Sequence, residues 1–412
     1  MSILIIIGDG MADEPIPELN NRTPLQVAQT PYMDYLASHG WNGLLTTVPL
    51  GWEVGSDVAC LSILGYDIPT VYQGRSAFEA ASLGIPIQEN EMVMRCNFIS
   101  IENNQIQSFT ADHISTEEAQ QLIAMLNEHL STPELRFFAG NTYRHLLRLA
   151  HQTKAIECLS PHNAIHLSKD HLLIKALTPQ AQETADLLNQ LILKSQELLA
   201  NHPINLTRIR QGKLPANSIS LWAPGYTPSM KHLDQLFPIK KGAIISATDL
   251  IKGIGYYAGL EVIEVAGATG RHDTNYQGKA QATIQALQNN DFVFLHIEAS
   301  DEASHDGDYK LKIKTIEDLD EKIIQPILRE TNQWSNAPLI ALLPDHPTSS
   351  LSKVHLREPV PFTIYHAGSG RECDQVFEER FTPQGDILLY QGGDLIRYLF
   401  EKQRLLDSSR NK

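Results

Sequence analysis

The chain opens on an uninterrupted apolar run, Ile3-Leu4-Ile5-Ile6-Ile7, closed by Gly8-Asp9-Gly10. β-Branched residues without polar alternation predict a strand buried on both faces, as in a parallel sheet. Asp9 then stands at its carboxyl end. Thr30, Pro31 and Gly40 bracket residues 31–37 as a helix, with Thr30 as N-cap and proline at the first helical position. A second strand-like run ends before Gly51, and Gly55-Ser56-Asp57-Val58-Ala59 opens another helix. Compact apolar runs recur at 219–222, 243–246, 262–265, Phe292–Ile297 and Leu339–Leu343, with amphipathic stretches such as 278–289 and 310–329 between them. This alternation predicts an α/β fold, a mostly parallel sheet sandwiched by helices.

Between about residue 74 and residue 216 the pattern changes. Helical stretches at 116–130 and 178–199 accompany short strand candidates at 92–101 and 145–149, and Lys213-Leu214-Pro215-Ala216-Asn217 reads as a linker. The simplest organisation is one α/β domain built from residues 1–72 and 217–412, with an inserted α+β domain at 73–216. There is no internal repeat and no low-complexity segment.

Composition narrows the function classes. The 412 residues carry 33 Lys+Arg against 48 Asp+Glu, a net charge of −15, which disfavours a general nucleic-acid binder. No apolar run approaches the roughly 20 residues of a membrane span. The opening run is too short for a signal segment and lacks a basic flank, so a cytoplasmic protein is expected. Cys60, Cys96, Cys158 and Cys373 are far apart, which argues against disulfides or a zinc ribbon and predicts small buried side chains.

Three clusters carry candidate chemistry, each after a predicted strand. They are Asp9; the stretch from His296 to His305 with Glu298, Asp301 and Glu302; and Asp345-His346, followed by His355. Ligands gather at the carboxyl ends of strands in open α/β sheets, so the clusters can converge. Carboxylate and imidazole donors suit Mn²⁺ or Zn²⁺, with Mg²⁺ a further candidate, and the donors suffice for two ions able to clamp a phosphoryl group.

The motifs Asp9-Gly10, Gly55-Ser56-Asp57-Val58-Ala59, Asp301-Glu302-Ala303-Ser304-His305, Asp345-His346-Pro347-Thr348 and His355 with Pro359-Val360-Pro361-Phe362 follow the order of the alkaline phosphatase superfamily. More narrowly, the chain resembles the archaeal-type cofactor-independent phosphoglycerate mutases. Gly74-Arg75-Ser76-Ala77-Phe78-Glu79-Ala80, Arg95-Cys96-Asn97-Phe98, Tyr143-Arg144-His145, Pro161-His162 and Gly267-Ala268-Thr269-Gly270 extend the likeness across the insertion. The resemblance implies an alkaline-phosphatase-like fold and a phosphoserine formed on Ser56. It also implies one metal on Asp9, Ser56, Asp345 and His346, and another on Asp301, His305 and His355, Mn²⁺ being the foremost candidate.

The activity so implied is exchange of 3- and 2-phosphoglycerate, with the insertion closing over the metals. Arginine grips carboxylate and phosphate bidentately. Arg75, Arg95, Arg144, His145, His162, Arg271 and Lys279 are the substrate-binding candidates. One stretch departs from the family: Ser108-Phe109-Thr110-Ala111-Asp112-His113-Ile114 stands where archaeal-type mutases usually carry arginines. A branch with such a replacement resembles proteins proposed as homoserine kinases, which gives the alternative of phosphoryl transfer from a nucleotide to a small hydroxy amino acid.

Overall fold

The computed structural model describes residues 1–380 and 387–410. It divides into two units, Met1–Tyr72 with Met230–Lys412, and Gln73–Ser229.

The first unit is built on an eight-stranded sheet. Its order is Glu261–Val262, Gly242–Ile245, Phe292–Ile297, Ile3–Gly8, Leu339–Leu343, Val360–His366, Trp41–Leu45 and Ile387–Leu389. All pairings are parallel except those of Val360–His366, which runs antiparallel to both neighbours. Every residue of Ile3–Gly8 is buried, as expected of a strand covered on both faces. Leu4, Ile6, Val293, Leu295, Ile340 and Leu342 join one core with residues of the helices Pro31–Ser38, Tyr276–Asn289 and Tyr309–Leu319. Helix Asp249–Tyr257 lies on the other face, where Gly255 brings its backbone against Ile244.

Two local readings are corrected. Thr30 makes no side-chain cap to helix Pro31–Ser38. Asp320 does so from afar, accepting the N–H of Met33 at 2.6 Å and of Tyr32 at 3.1 Å. The stretch 310–329 is helical but interrupted: Tyr309–Leu319 passes through a π-turn, Asp320–Ile324, into Gln325–Thr331. That widened turn carries the capping Asp320.

The second unit holds an antiparallel sheet in which Glu91–Glu102 pairs with Gln105–Ser108, Arg144–Ala150 and Ser218–Gly225. Helices Thr116–Leu130 and Gln182–Ala200 share its apolar core. The run at 219–222, read above as a return to the parallel sheet, is therefore a strand of this second sheet. An apolar run shows that a strand is buried, not which sheet receives it. The second unit accordingly extends past residue 216 to Ser229.

Candidate functional site

Three adjacent strands of the first unit end together. Gly8 pairs with Ile297, and Ile7 pairs with Leu343. Asp9 follows the first strand; helix Ala299–Asp306, bearing Asp301 and His305, follows the second; Asp345-His346 follows the third. Ser56 begins helix Ser56–Ile63, and His355 precedes Val360–His366. All seven side chains expected to serve as nucleophile and ligands thus lie in one unit.

Ser56 Oγ donates to Asp9 Oδ2 at 3.3 Å and stands 3.3 Å from His346 Nε2. His346 Nε2 lies 3.4 Å from Asp345 Oδ2 and 3.7 Å from Asp9 Oδ1. Around Asp301, His305 Nε2 lies 3.2 Å from Oδ2 and His355 Nε2 lies 3.6 Å from Oδ1. Gly10 can be nothing larger: its φ is +61°, and a Cβ would stand 2.5 Å from Asp301 Oδ1. Its N–H donates to Asp345 Oδ1 at 3.1 Å.

Charge is the dominant feature. Burial, followed by the charges of Asp345 and Asp301, pushes the Asp9 carboxyl well above its ordinary range. Burial also works to raise Asp301, but hydrogen bonds from His305 and His355 outweigh it and hold that carboxyl well below its ordinary range. The Asp301 bond lifts His305 to about 9, whereas burial lowers His346. A pocket of crowded carboxylates and unprotonated imidazole suits divalent cations.

Three observations test that fit. Asp9 Oδ1 and Asp345 Oδ2 are buried without a hydrogen-bond partner. Within 4.8 Å of one another lie donor atoms of Asp9, Asp345 and His346, and likewise of Asp301, His346 and His355. The Nδ1 atoms of His305 and His355 each contact a backbone carbonyl at 2.9 Å, of Lys353 and Val54. A carbonyl only accepts, so each ring keeps a proton on Nδ1, and Nε2, the atom facing Asp301, is the one left to give up its proton and serve as a ligand when a cation binds, a common arrangement.

Several supporting residues were not among the site candidates. Thr348 Oγ1 donates to Asp301 Oδ1 at 2.6 Å. Lys312 is fully buried and donates to Asp13 Oδ2 at 2.9 Å, Thr348 O at 2.7 Å and Ala12 O at 3.1 Å. It ties together the loops after two of the three strands. Asp57, beside Ser56, accepts the Tyr72 hydroxyl at 2.6 Å. Only a lysine on the apolar side of an amphipathic helix marks Lys312 in sequence, and nothing local marks its partners.

Of the substrate candidates, Arg271 and Lys279 belong to the first unit. Arg271 is exposed and pairs with Asp306 at 3.3 Å. Lys279 is buried, which lowers it to about 8. The others belong to the second unit. Arg95 makes a bidentate pair with Glu79, stacks on Trp222 with its guanidinium carbon 4.6 Å from the ring centre, and feels the charges of Arg75 and Arg144. Arg75 also reaches Glu79, at 3.9 Å, so two guanidinium groups share that carboxylate while Arg144 adds its charge to Arg95, a surplus of positive charge. His162 is exposed beside Trp222, with ring centres 5.6 Å apart. His145, expected at the substrate surface, is instead a core residue, 2% exposed and pushed down to about 3 by burial. Its Nδ1 accepts the Gly140 N–H, and its ring packs on Phe98.

The divergent stretch 108–114 is a locked turn. Ala111, Asp112 and His113 take φ of 47°, 52° and 52°. Arg208, 1% exposed, donates to Ala111 O at 2.7 Å and Asp112 O at 3.2 Å while pairing with Glu118 at 2.7 Å. The turn presents Phe109 beside Tyr143 and His162.

Comparison with known proteins agrees with the resemblance drawn from the motifs. Residues 37–205 match the family model described as 2,3-bisphosphoglycerate-independent phosphoglycerate mutase. A protein of that name from Methanosarcina acetivorans is 46% identical over 401 residues, covering 97% of this chain and 99% of its own. A solved structure from Pyrococcus horikoshii matches with a TM-score of 0.78 at 30% identity, over 97% of this chain and 96% of its own. A cofactor-independent phosphoglycerate mutase from Thermoplasma acidophilum matches with a TM-score of 0.64 at 26% identity, over 97% of this chain and 99% of its own. No helix among the described residues is long and apolar enough to cross a membrane. The chain belongs to the 2,3-bisphosphoglycerate-independent phosphoglycerate mutase family.

Proposed function

We propose that the protein interconverts 3-phosphoglycerate and 2-phosphoglycerate, without added bisphosphoglycerate, through a phosphoserine on Ser56. The observation that carries this reading is Ser56 Oγ, placed 3.3 Å from both Asp9 Oδ2 and His346 Nε2 at a helix N-terminus. Asp9, Ser56, Asp345 and His346 would hold one divalent cation, and Asp301, His305 and His355 another, Mn²⁺ foremost. When bound, such ions lower a hydroxyl pKa and neutralise phosphoryl charge.

Ser56 Oγ attacks phosphorus as the bond to the glycerate 3-oxygen breaks, and the proton that Ser56 gives up ends on the freed 3-oxygen as a hydroxyl. The N–H groups at the start of helix Ser56–Ile63 favour the phosphoryl oxygens. After the glycerate turns, its 2-hydroxyl attacks the same phosphorus, the bond to Ser56 Oγ breaks, and the 2-hydroxyl proton returns to Ser56. The surplus charge of Arg75, Arg95 and Arg144, with His162 beside them, would grip the substrate's carboxylate and phosphate, and Arg271 and Lys279 would act from the metal-binding unit. The setting we assign is cytoplasmic glycolysis.

The test is an assay with Mn²⁺, comparing 3-phosphoglycerate with ATP plus homoserine. Formation of 2-phosphoglycerate that disappears in Ser56→Ala supports the reading. Homoserine-dependent ATP consumption with no 2-phosphoglycerate overturns the substrate.

A further inference from the structure

Beneath Ser56 the site has a floor in which two side chains, Cys60 and His296, are left unused by the two-cation reading. Cys60 lies one turn along the same helix, fully buried. Its Sγ, a ring nitrogen of His296 and a carboxylate oxygen of Asp345 lie within 4.8 Å of one another. His296 is 1% exposed and is the penultimate residue of strand Phe292–Ile297. Its Nε2 is buried without a hydrogen-bond partner; it lies 3.2 Å from Asp9 Oδ2 but off the hydrogen-bond direction. Its Nδ1 stands 3.5 Å from Ser246 Oγ. Asp345 Oδ2 is likewise unpartnered, and Asp9 Oδ1 is a third buried orphan beside it.

We propose that Cys60, His296 and Asp345, with a share of Asp9, form an additional buried seat for a thiophilic divalent cation such as Zn²⁺ or Co²⁺. The donor set decides the chemical class. One sulfur, one imidazole nitrogen and carboxylate oxygens make a tetrahedral set of the kind zinc and cobalt accept, whereas Mg²⁺ and Mn²⁺ favour oxygen. Asp345 and Asp9 are shared with the neighbouring cation, so each carboxylate bridges two charges and its orphaned oxygen is satisfied. On binding, the Cys60 S–H loses its proton to solvent and the thiolate bonds the metal. The seat depends on the phosphoglycerate reading for neither substrate nor turnover.

The experiment is Co²⁺ titration of the full chain after chelation, read by absorption and by metal content. The expected result is a thiolate-to-cobalt charge-transfer absorption and one more Co²⁺ per chain than the two already assigned. Cys60→Ser should remove the absorption and lower the content by one, and His296→Gln should weaken it at least tenfold in apparent affinity. Cobalt binding without that absorption overturns the seat in the unaltered protein, even if a variant fails to fold, and so does absorption that survives Cys60→Ser. In that outcome His296 serves only as a neighbour of Asp9. A protein that shows the absorption yet makes no 2-phosphoglycerate would keep the seat and lose the proposed substrate.

Discussion

His305 Nε2 and His355 Nε2 face each other at 2.9 Å, although the Nδ1 of each ring is already committed to a backbone carbonyl. Two neutral rings in these tautomers would oppose lone pairs. The contact holds only if one proton or one cation lies between them and Asp301. A fold that locks both tautomers through Lys353 and Val54 has therefore paid in advance for a positive charge at this point.

The sign of the pH dependence follows. His305 has its pKa raised from 6.5 to about 9, first by its hydrogen bond to Asp301. In metal-free protein the stability it contributes is full below the unfolded value of about 6.5 and is lost as pH rises toward 9. Metal must displace that proton, so Mn²⁺ affinity should rise across the same window, by up to about tenfold per pH unit for the proton released. Calorimetry in two buffers of different ionisation enthalpy reads the proton directly. Affinity that is flat over this range contradicts the assignment of His305 as a ligand.

Lys312 and Asp13 form a pair with no exposed side-chain surface, 2.9 Å apart. Lys312→Ala would strand a buried carboxylate and two backbone carbonyls, a loss of about 3–5 kcal/mol. Urea unfolding at neutral pH measures it. Because Lys312 also holds Thr348, and Thr348 donates to Asp301, metal affinity should fall in the same variant. A stability change below about 1 kcal/mol would place the pair among ordinary surface ion pairs.

Asp320 illustrates what the sequence shows and what it hides. Pro31 announces the start of a helix, and Thr30 is a sound N-cap by type, yet the cap comes from a residue nearly three hundred positions away. Local patterns reveal a helix terminus but not a partner brought by tertiary packing. The metal donors were legible because each follows an apolar strand, and topology alone gathers strand ends. His296 was less legible, since a single polar residue inside an apolar run has no periodicity to mark it. Strand Ser218–Gly225 was assigned to the wrong sheet for a related reason: its composition reports burial, and its partner is set by chain connectivity.

Burial raises Asp320 from 3.8 to about 6. Its folded pKa lies above its unfolded value, so stability falls as pH rises from about 4 to 6, by up to about 3 kcal/mol at about 1.4 kcal/mol per unit. Asp320→Asn keeps an acceptor for the N–H groups of Met33 and Tyr32 without the charge. The variant should flatten that slope and be the more stable protein at pH 8. Parallel urea curves at pH 4 and pH 8 decide it; an unchanged slope would assign the pH dependence to other groups.

Arg208 sets the turn at 108–114. It is buried, and its guanidinium meets Glu118, Leu214 O, Ala111 O and Asp112 O. Three consecutive non-glycine residues in the left-handed region each carry a conformational cost of about 1 kcal/mol. The turn persists because Arg208 fixes its carbonyls and Ser108 Oγ accepts the Asp112 N–H at 2.9 Å. Arg208→Met should therefore release it, with a loss of about 3–5 kcal/mol from the unpaired Glu118 and the freed carbonyls. His113→Gly acts in the opposite sense. His113 is exposed with φ of 52°, so glycine relieves strain at the expense of unfolded-state entropy, a net gain of about 0.5–1 kcal/mol. Hydrogen exchange at residues 108–114 separates the two variants: faster in Arg208→Met, no faster in His113→Gly. If Phe109 and His162 form part of the substrate surface, KM should rise in Arg208→Met more than kcat falls, because the chemistry is placed on Ser56 in the other unit.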